Sequence, residues 1–188
     1  MKNLLIIVLV IIVFALGGWL IHDKTKSNNS STGNTSTSQS NSANTLDESS
    51  KGLTTVGSDI YSQTAVTTLL LSNNNLRTLP SQMGKMTNLQ VLKLDHNQLN
   101  GSLIGEIRLM PLTTLDVSYN NMTGMPAEIG QLNKLVTLNY SYNKITGLPN
   151  ELANLKNNLK TFNLTGNPLS QSTINNLKAT LPNTNIIF

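Results

Sequence analysis

An asparagine recurs every 23 or 24 residues in this chain, each time within the frame L-x-x-L-x-L-x-x-N-x-L. The frames begin at residues 66, 89, 112, 135 and 159, and their asparagines are Asn74, Asn97, Asn120, Asn143 and Asn167. A single unit of this length cannot bury its own apolar face, whereas stacked units share a continuous core. The sequence therefore predicts a tandem array of short repeats.

The second half of the unit repeats as well. A Leu-Pro or Met-Pro pair follows the frame in three copies, at Leu79-Pro80, Met125-Pro126 and Leu148-Pro149. With these features the chain resembles the leucine-rich repeat family over residues 52–188. The resemblance implies an α/β leucine-rich repeat solenoid, with a curved parallel β-sheet on the concave face and short helical or irregular segments on the convex face. It also implies a structural ladder in which each asparagine side chain satisfies backbone groups of its own and the adjacent turn.

The second repeat departs from the pattern, because it reads Leu99-Asn100-Gly101-Ser102-Leu103 and has no proline. It contains one extra residue after the frame, and the segment before Leu112 is one residue shorter, so the period of 23 residues is kept. The sequence therefore predicts a locally different turn in this repeat.

Both ends of the array are atypical, as terminal repeats of solenoids usually are. Leu53, Val56, Ile60 and Val66 have the spacing of a repeat's second half, with Lys51 at the asparagine position. We interpret 52–65 as a degenerate N-terminal cap and 66–169 as five repeats. Residues 170–188 are interpreted as a C-terminal cap, with a helix ending before Pro182 and a short strand after it.

Residues 4–21 form a nearly unbroken apolar run of eighteen residues, flanked by Lys2 and by Lys24 and Lys26. As a helix it would reach about 27 Å, the low end of what spans a bilayer. We interpret 1–26 as a transmembrane anchor; a signal peptide cleaved near Gly17 is the alternative. Residues 27–51, rich in Ser, Thr and Asn, are interpreted as a disordered linker. The expected location is a single-pass membrane protein with its repeats outside the cytoplasm, or a secreted protein if the leader is cleaved.

Composition excludes several classes of function. The chain has no cysteine, which excludes thiol catalysis and thiolate metal sites, and a cysteine-free exported array is more typical of bacteria. The net charge is only +4, and no basic stripe backed by aromatic residues is visible, so nucleic acid is not expected as a partner. We expect no metal and no cofactor.

Residues between the inward leucines should form columns across the sheet, with neighbouring strands about 4.8 Å apart. The central column is Leu70, Lys93, Asp116, Asn139 and Asn163. The next is Ser72, Asp95, Ser118, Ser141 and Thr165, followed by Asn73, His96, Tyr119, Tyr142 and Gly166. We expect three contacts between adjacent repeats: Lys93 with Asp116, His96 with Tyr119, and Tyr119 with Tyr142. The predicted ligand-binding patch is Lys93, Asp95, His96, Asp116, Tyr119, Asn139 and Tyr142.

Catalysis is not expected. Asp95, His96 and Ser118 are the residue types of a nucleophilic triad, but adjacent side chains diverge in a regular strand. We therefore expect a non-enzymatic, membrane-tethered, monomeric binding protein that recognises a protein or a cell-surface polymer through its concave sheet. The alternative is a structural spacer or a self-associating envelope protein, in which the patch is only a solvated surface.

Overall fold

A computed structural model describes residues 44–188 of this chain. The predicted anchor at 4–21, and the first part of the predicted linker, lie outside the described residues. Within 44–188, no helix has the length and apolar character needed to cross a membrane.

One face of the repeat domain is a parallel sheet of seven short strands. They stand side by side in the order in which they occur along the chain. Their bounds are β1 Thr45–Asp47, β2 Thr68–Leu70, β3 Val91–Lys93, β5 Thr114–Asp116, β7 Thr137–Asn139, β8 Thr161–Asn163 and β9 Asn185–Ile187. Each strand pairs in parallel with that of the next repeat, and equivalent frame positions are partners, as in Leu92 with Leu115. The register read from the sequence is confirmed.

The leucine at the centre of each strand points into the core, because successive side chains of a strand face opposite sides. Leu69, Leu92 and Leu115 have no exposed surface, and their neighbours on either side in the strand are partly exposed. A single cluster of buried apolar residues runs from Val56 to Leu181. The repeats therefore share one core rather than forming separate ones.

The opposite layer consists of short helices, one per repeat. They are α1 Ser58–Tyr61, four 3-10 helices and α2 Gln171–Thr180. The 3-10 helices are η1 Ser81–Lys85, η2 Gly105–Leu109, η3 Ala127–Gln131 and η4 Asn150–Leu155. Three of them are preceded directly by the repeated proline, whose fixed φ suits the residue before a helix: Pro80, Pro126 and Pro149. The predicted short helical segments are confirmed.

The ladder of asparagines lies at the ends of the strands. The Asn120 amide nitrogen donates to the carbonyls of Leu94 and Val117 at 3.0 and 3.1 Å, and its oxygen accepts the amide proton of Leu99 at 2.9 Å. Asn74, Asn97 and Asn143 make the same contacts and are 6–8% exposed. Asn167 closes the series with bonds to Ile145 and Tyr140. Each side chain thus ties its own turn to the preceding repeat.

The second repeat differs from the others in the way its sequence indicates. The extra residue lies where Gly101 adopts a φ of +67°, a conformation that glycine accepts without strain. There the strand β4, Asn100–Gly101, pairs in parallel with β6, Asn121–Met122, and forms a second, two-stranded sheet. This small sheet was not predicted from the sequence.

The predicted boundary of the folded domain is wrong at its N-terminal side. Thr45–Asp47, assigned to the linker, forms β1 and pairs with β2 in the same register as the repeats. Lys51 occupies the asparagine position, and its ammonium lies 2.9 Å from the Glu48 carboxylate. Residues 44–51 therefore belong to the terminal repeat, because pairing with β2 orders a segment whose composition alone indicates a linker.

At the other end, the predicted cap helix and strand are present as α2 and β9. The Ser170 hydroxyl accepts a hydrogen bond from the Thr173 amide at 3.1 Å and so caps the N-terminus of α2. Leu177 and Leu181 cover the last part of the core. The chain then adds β9 to the edge of the sheet.

Candidate functional site

The residue before each ladder position has a left-handed backbone in every repeat. The φ angles are 53–58° for the non-glycine residues of this column and 74° for the glycine: Ser50, Asn73, His96, Tyr119, Tyr142 and Gly166. Glycine, asparagine and histidine tolerate this region, but bulky side chains such as tyrosine rarely adopt it. Two consecutive repeats therefore place tyrosine rings at a position where the backbone disfavours them.

These three residues form a stack, which we call the aromatic stack: His96, Tyr119 and Tyr142. The ring centroids of His96 and Tyr119 are 4.3 Å apart and those of Tyr119 and Tyr142 are 4.4 Å apart, with interplanar angles of 14° and 18°. The two tyrosines are 44% and 47% exposed. Because the ring faces cover one another, the stack presents its ring edges to a ligand. The expected contacts are confirmed.

Desolvation within the stack, followed by the interaction with Tyr142, raises the pKa of Tyr119 above its ordinary value. The hydroxyl is protonated at neutral pH, as that of an ordinary tyrosine already is. A neutral phenol can both donate and accept a hydrogen bond, which suits a polar partner such as a peptide carbonyl or a sugar hydroxyl.

Beside the stack, Lys93 and Asp116 pair across adjacent strands, as expected, at 3.1 Å. Asp116 has a second role, since its other carboxylate oxygen accepts the Ser118 hydroxyl at 2.7 Å and the Ser118 amide at 3.0 Å. Burial raises the pKa of Asp116, but the hydrogen bonds from Ser118 and the charge of Lys93 outweigh it and hold the pKa below its ordinary value. The carboxylate thus helps to fix the turn that carries Tyr119.

Asn139 does the same one repeat later. Its side-chain oxygen accepts the Ser141 hydroxyl at 2.8 Å and the Ser141 amide at 3.1 Å, in the turn that carries Tyr142. Such a bond from a side chain to the amide two residues ahead is a common way to order a turn. Asp116 and Asn139, both predicted as ligand contacts, are therefore engaged in positioning the tyrosines.

The expectation that Asp95 and His96 point apart is wrong. The strand ends at Lys93, and the left-handed backbone at His96 brings its Nδ1 to 3.1 Å from one Asp95 oxygen. The other Asp95 oxygen accepts the Ser72 hydroxyl at 2.6 Å. Ser118 donates to Asp116 instead, so the three residue types are not arranged as a triad.

Gly166 belongs to the site although the sequence did not single it out. A Cβ at this position would lie 2.8 Å from Cδ1 of Tyr142, because the ring packs over the glycine backbone. The absence of a side chain in this one copy of the column was the available signal. Gly166 thus ends the aromatic stack and supports the outer face of its last ring.

No group of three or more His, Asp or Glu side chains within residues 44–188 is arranged to hold a metal ion. What the site offers is a row of exposed ring edges and hydroxyls, flanked by one ion pair and by Asp95. Such a surface suits noncovalent contact with a partner of mixed polarity.

Comparison with known families agrees with this architecture. Residues 111–169 match one family model described as leucine rich repeat, and residues 65–86 and 88–110 match a second model of that description. The two models together recognise leucine-rich repeats between residues 65 and 169. Domains of this family are generally protein-protein interaction modules and are typically non-enzymatic.

Many solved structures are similar to this chain, among them the following two. A leucine-rich repeat protein of Leptospira interrogans is 23% identical with a TM-score of 0.38, over 77% of this chain and 54% of that one. A plant ice-binding protein is 25% identical with a TM-score of 0.54, over 61% of this chain and 38% of that one. This chain therefore spans about half or less of the length of either structure. No curated protein matches it.

Proposed function

We propose that this protein binds another macromolecule, a protein or a cell-surface polymer, through the rim of the sheet that carries the aromatic stack. The observation that supports this most is the left-handed backbone beneath His96, Tyr119 and Tyr142. A left-handed conformation costs an ordinary L-residue roughly 1–2 kcal/mol, and the scaffold does not need rings there, because Asn73 and Gly166 occupy the same position in other repeats. Strain retained at exposed residues is typical of functional positions.

In this proposal the stack supplies most of the contact area. Tyrosine is enriched where binding energy is concentrated, because a large rigid ring with a polar tip is ordered at little entropic cost. Lys93 and Asp95 lie beside the stack and contribute orientation rather than affinity, since ion pairs near the surface contribute only about 0–1 kcal/mol. Asp116 and Asn139 act indirectly by holding the turns.

A variant in which Tyr119 and Tyr142 are both replaced by asparagine separates binding from folding. Asparagine accepts the left-handed backbone, which offsets the stacking energy of about 0.5–1.5 kcal/mol per pair that is lost. We expect the free energy of unfolding to change by no more than about 1 kcal/mol, while capture of the partner is lost. A matched control replaces the exposed Val136, on the opposite rim, by asparagine.

The partner itself can be identified by a photoreactive residue at position 119 in intact cells, with the same residue at Lys144 as control. A crosslinked product specific to position 119 supports the proposal. If no product forms, or if the double asparagine variant captures partner as well as the parent does, the aromatic stack is not a binding site and the spacer interpretation is favoured.

We also propose that residues 4–21 tether the protein to a membrane and that the repeats act outside the cytoplasm as a monomer. The support is the apolar run and the polar, Ser/Thr/Asn-rich segment that follows it. The mass of the mature chain distinguishes an anchor from a leader cleaved near Gly17. Protease added to intact cells should degrade the repeats, and light scattering should give the mass of one chain; resistance to the protease would contradict the proposed location.

A further inference from the structure

The charged residues are scattered in the sequence, but the fold sorts them between the two flanks of the domain. We call the side on which the chain enters the strands the strand-start flank. It comprises residues 61–67, 85–90, 108–113, 131–136, 155–160 and 180–185. These stretches contain five cationic residues and, in the described part of the chain, no Asp or Glu: Lys85, Arg108, Lys134, Lys156 and Lys160. None of the five forms an ion pair with a described residue.

All eight carboxylates of residues 44–188 lie elsewhere. Glu106, Glu128 and Glu151 are in the first turns of η2, η3 and η4, before the flank begins. None of these three carboxylates forms an ion pair with a cation of the strand-start flank within residues 44–188. A surface of one charge sign attracts ligands of the other and raises their local concentration.

The strand-start flank also contains a groove, which results from a missing turn. In the first and third repeats, two residues lie between the buried residue that follows the helix, Met86 or Leu132, and the start of the next frame. A turn closes over them: the Leu89 amide donates to the Met86 carbonyl at 3.0 Å, and the Leu135 amide donates to the Leu132 carbonyl at 2.9 Å. In the second repeat Pro111 alone fills this interval. Met110 is accordingly extended, with ψ of 132°, where Met86 and Leu132 have 59° and 69°.

The space left by the missing turn has a volume of about 220 Å³. Arg108 and Lys134 line it, together with the polar residues Thr87, Gln131 and Asn133, and none of its described lining residues is acidic. Arg108 gives one hydrogen bond to the Gly105 carbonyl at 3.1 Å. Its remaining N–H groups and the Lys134 ammonium are available to a ligand.

We propose that this groove binds a phosphate group and that the surrounding cations of the strand-start flank hold the rest of a phosphate-bearing polyanion. Two cations with several neutral donors around a small space suit a tetrahedral oxyanion with three or four acceptor atoms better than a planar carboxylate with two. The described lining holds no aromatic residue on which a nucleobase could stack. None of the residues that line the groove belongs to the aromatic stack. The phosphate proposal can therefore be tested independently of the proposed function.

The test measures binding of the full chain to inorganic polyphosphate by fluorescence anisotropy. The variant Arg108→Gln/Lys134→Gln removes both cations of the groove. The matched control, Arg77→Gln/Lys144→Gln, removes two exposed cations from the opposite flank and gives the same net charge. Inorganic phosphate and short-chain phosphatidylglycerol, used as competitors, distinguish a free phosphate or a lipid headgroup as the source, and polyglutamate tests for charge alone.

We expect the groove variant to bind polyphosphate at least about tenfold more weakly than the parent, since two charge-assisted contacts are lost, while the control changes by less than about twofold. Polyglutamate should bind more weakly than polyphosphate at equal length. The proposal is overturned if the parent does not bind polyphosphate, if polyglutamate binds as tightly, or if both double variants lose affinity equally. Circular dichroism of each variant excludes unfolding as the cause.

Discussion

The hydroxyl oxygen of Tyr140 is the one fully buried polar side-chain atom of residues 44–188 that lacks a hydrogen-bond partner. Replacing Tyr140 by phenylalanine should therefore stabilise the protein. Tyr140 takes an inward position that Leu94 and Leu164 occupy in other repeats, and it has no exposed surface. The group is a neutral hydroxyl within the apolar core, and burial raises the pKa of Tyr140 further above its ordinary value. The Tyr140→Phe substitution removes only the hydroxyl and keeps the ring.

The magnitude follows from the cost of burying an unpaired hydroxyl. An unsatisfied polar group in a core costs about 1–3 kcal/mol, and deleting one oxygen leaves little space behind. We therefore expect a gain of about 1 kcal/mol or more in the free energy of unfolding. With a denaturant slope of about 2 kcal/mol per molar urea, the midpoint should rise by about 0.5 M.

Urea titration followed by circular dichroism measures this change. The control is Tyr61→Phe, the same chemical change at a residue that is partly exposed, and its midpoint should move by less than about 0.25 M. A midpoint for Tyr140→Phe that is unchanged or lower would refute the reasoning. It would mean that the hydroxyl has a partner, such as a buried water, whose loss offsets the relief of desolvation.

Three further predictions concern the scaffold. Asn120→Leu should destabilise the protein by about 1–3 kcal/mol in urea titration, because the buried Leu99 amide loses its acceptor while the Leu94 and Val117 carbonyls keep only the donor from the neighbouring ladder asparagine; an unchanged midpoint would contradict this. Gly130→Ala should cost about 1–3 kcal/mol, since its Cβ would lie 2.2 Å from a backbone oxygen, whereas Gly147→Ala, where nothing lies within 4 Å, should cost far less. The pKa of Asp116 is lower in the folded than in the unfolded protein, so its carboxylate stabilises the fold at pH values above the unfolded pKa of about 4. This stabilisation should be lost as the pH falls through the folded pKa, and the free energy of unfolding of Asp116→Asn should depend less on pH in that range.

The sequence was sufficient to predict strand register because two independent signals agree. The alternation of buried and open positions sets which side chains face the core, and a slip of one residue would reverse every one of them. The asparagine fixes where each strand ends, since only one position in each turn can reach the backbone of both repeats. The inward positions and the pairing of equivalent residues were therefore predictable.

The features that were not predictable depend on neighbouring repeats. Thr45–Asp47 is read as part of a polar linker because nothing in its own composition indicates a strand, and β2 orders it. Asn100–Gly101 has the composition of a turn and becomes a strand only because the third repeat brings Asn121–Met122 beside it. In both cases pairing decides the structure rather than local propensity.

The candidate site was predictable in its contacts but not in its geometry. A regular strand was assumed through His96, and this assumption gave the wrong direction for its side chain relative to Asp95. The left-handed turn is set by the repeat as a whole, so no residue of the column reveals it alone. The strand-start flank was not predicted because its cations in consecutive repeats are more than twenty residues apart in the chain. Only the stacking of the repeats brings them to one side of the domain.

Scaffold and candidate site therefore make different demands on the same turn. The ladder asparagine and the acceptors at Asp116 and Asn139 impose the left-handed backbone whatever residue occupies it. Any side chain placed there is held rigidly at the rim, which favours binding because less entropy is lost on association. Asparagine and glycine would satisfy the fold at lower cost, as Asn73 and Gly166 do. Stacking between adjacent rings offsets part of this cost, and the binding role that we propose gives the rings a further reason to be there.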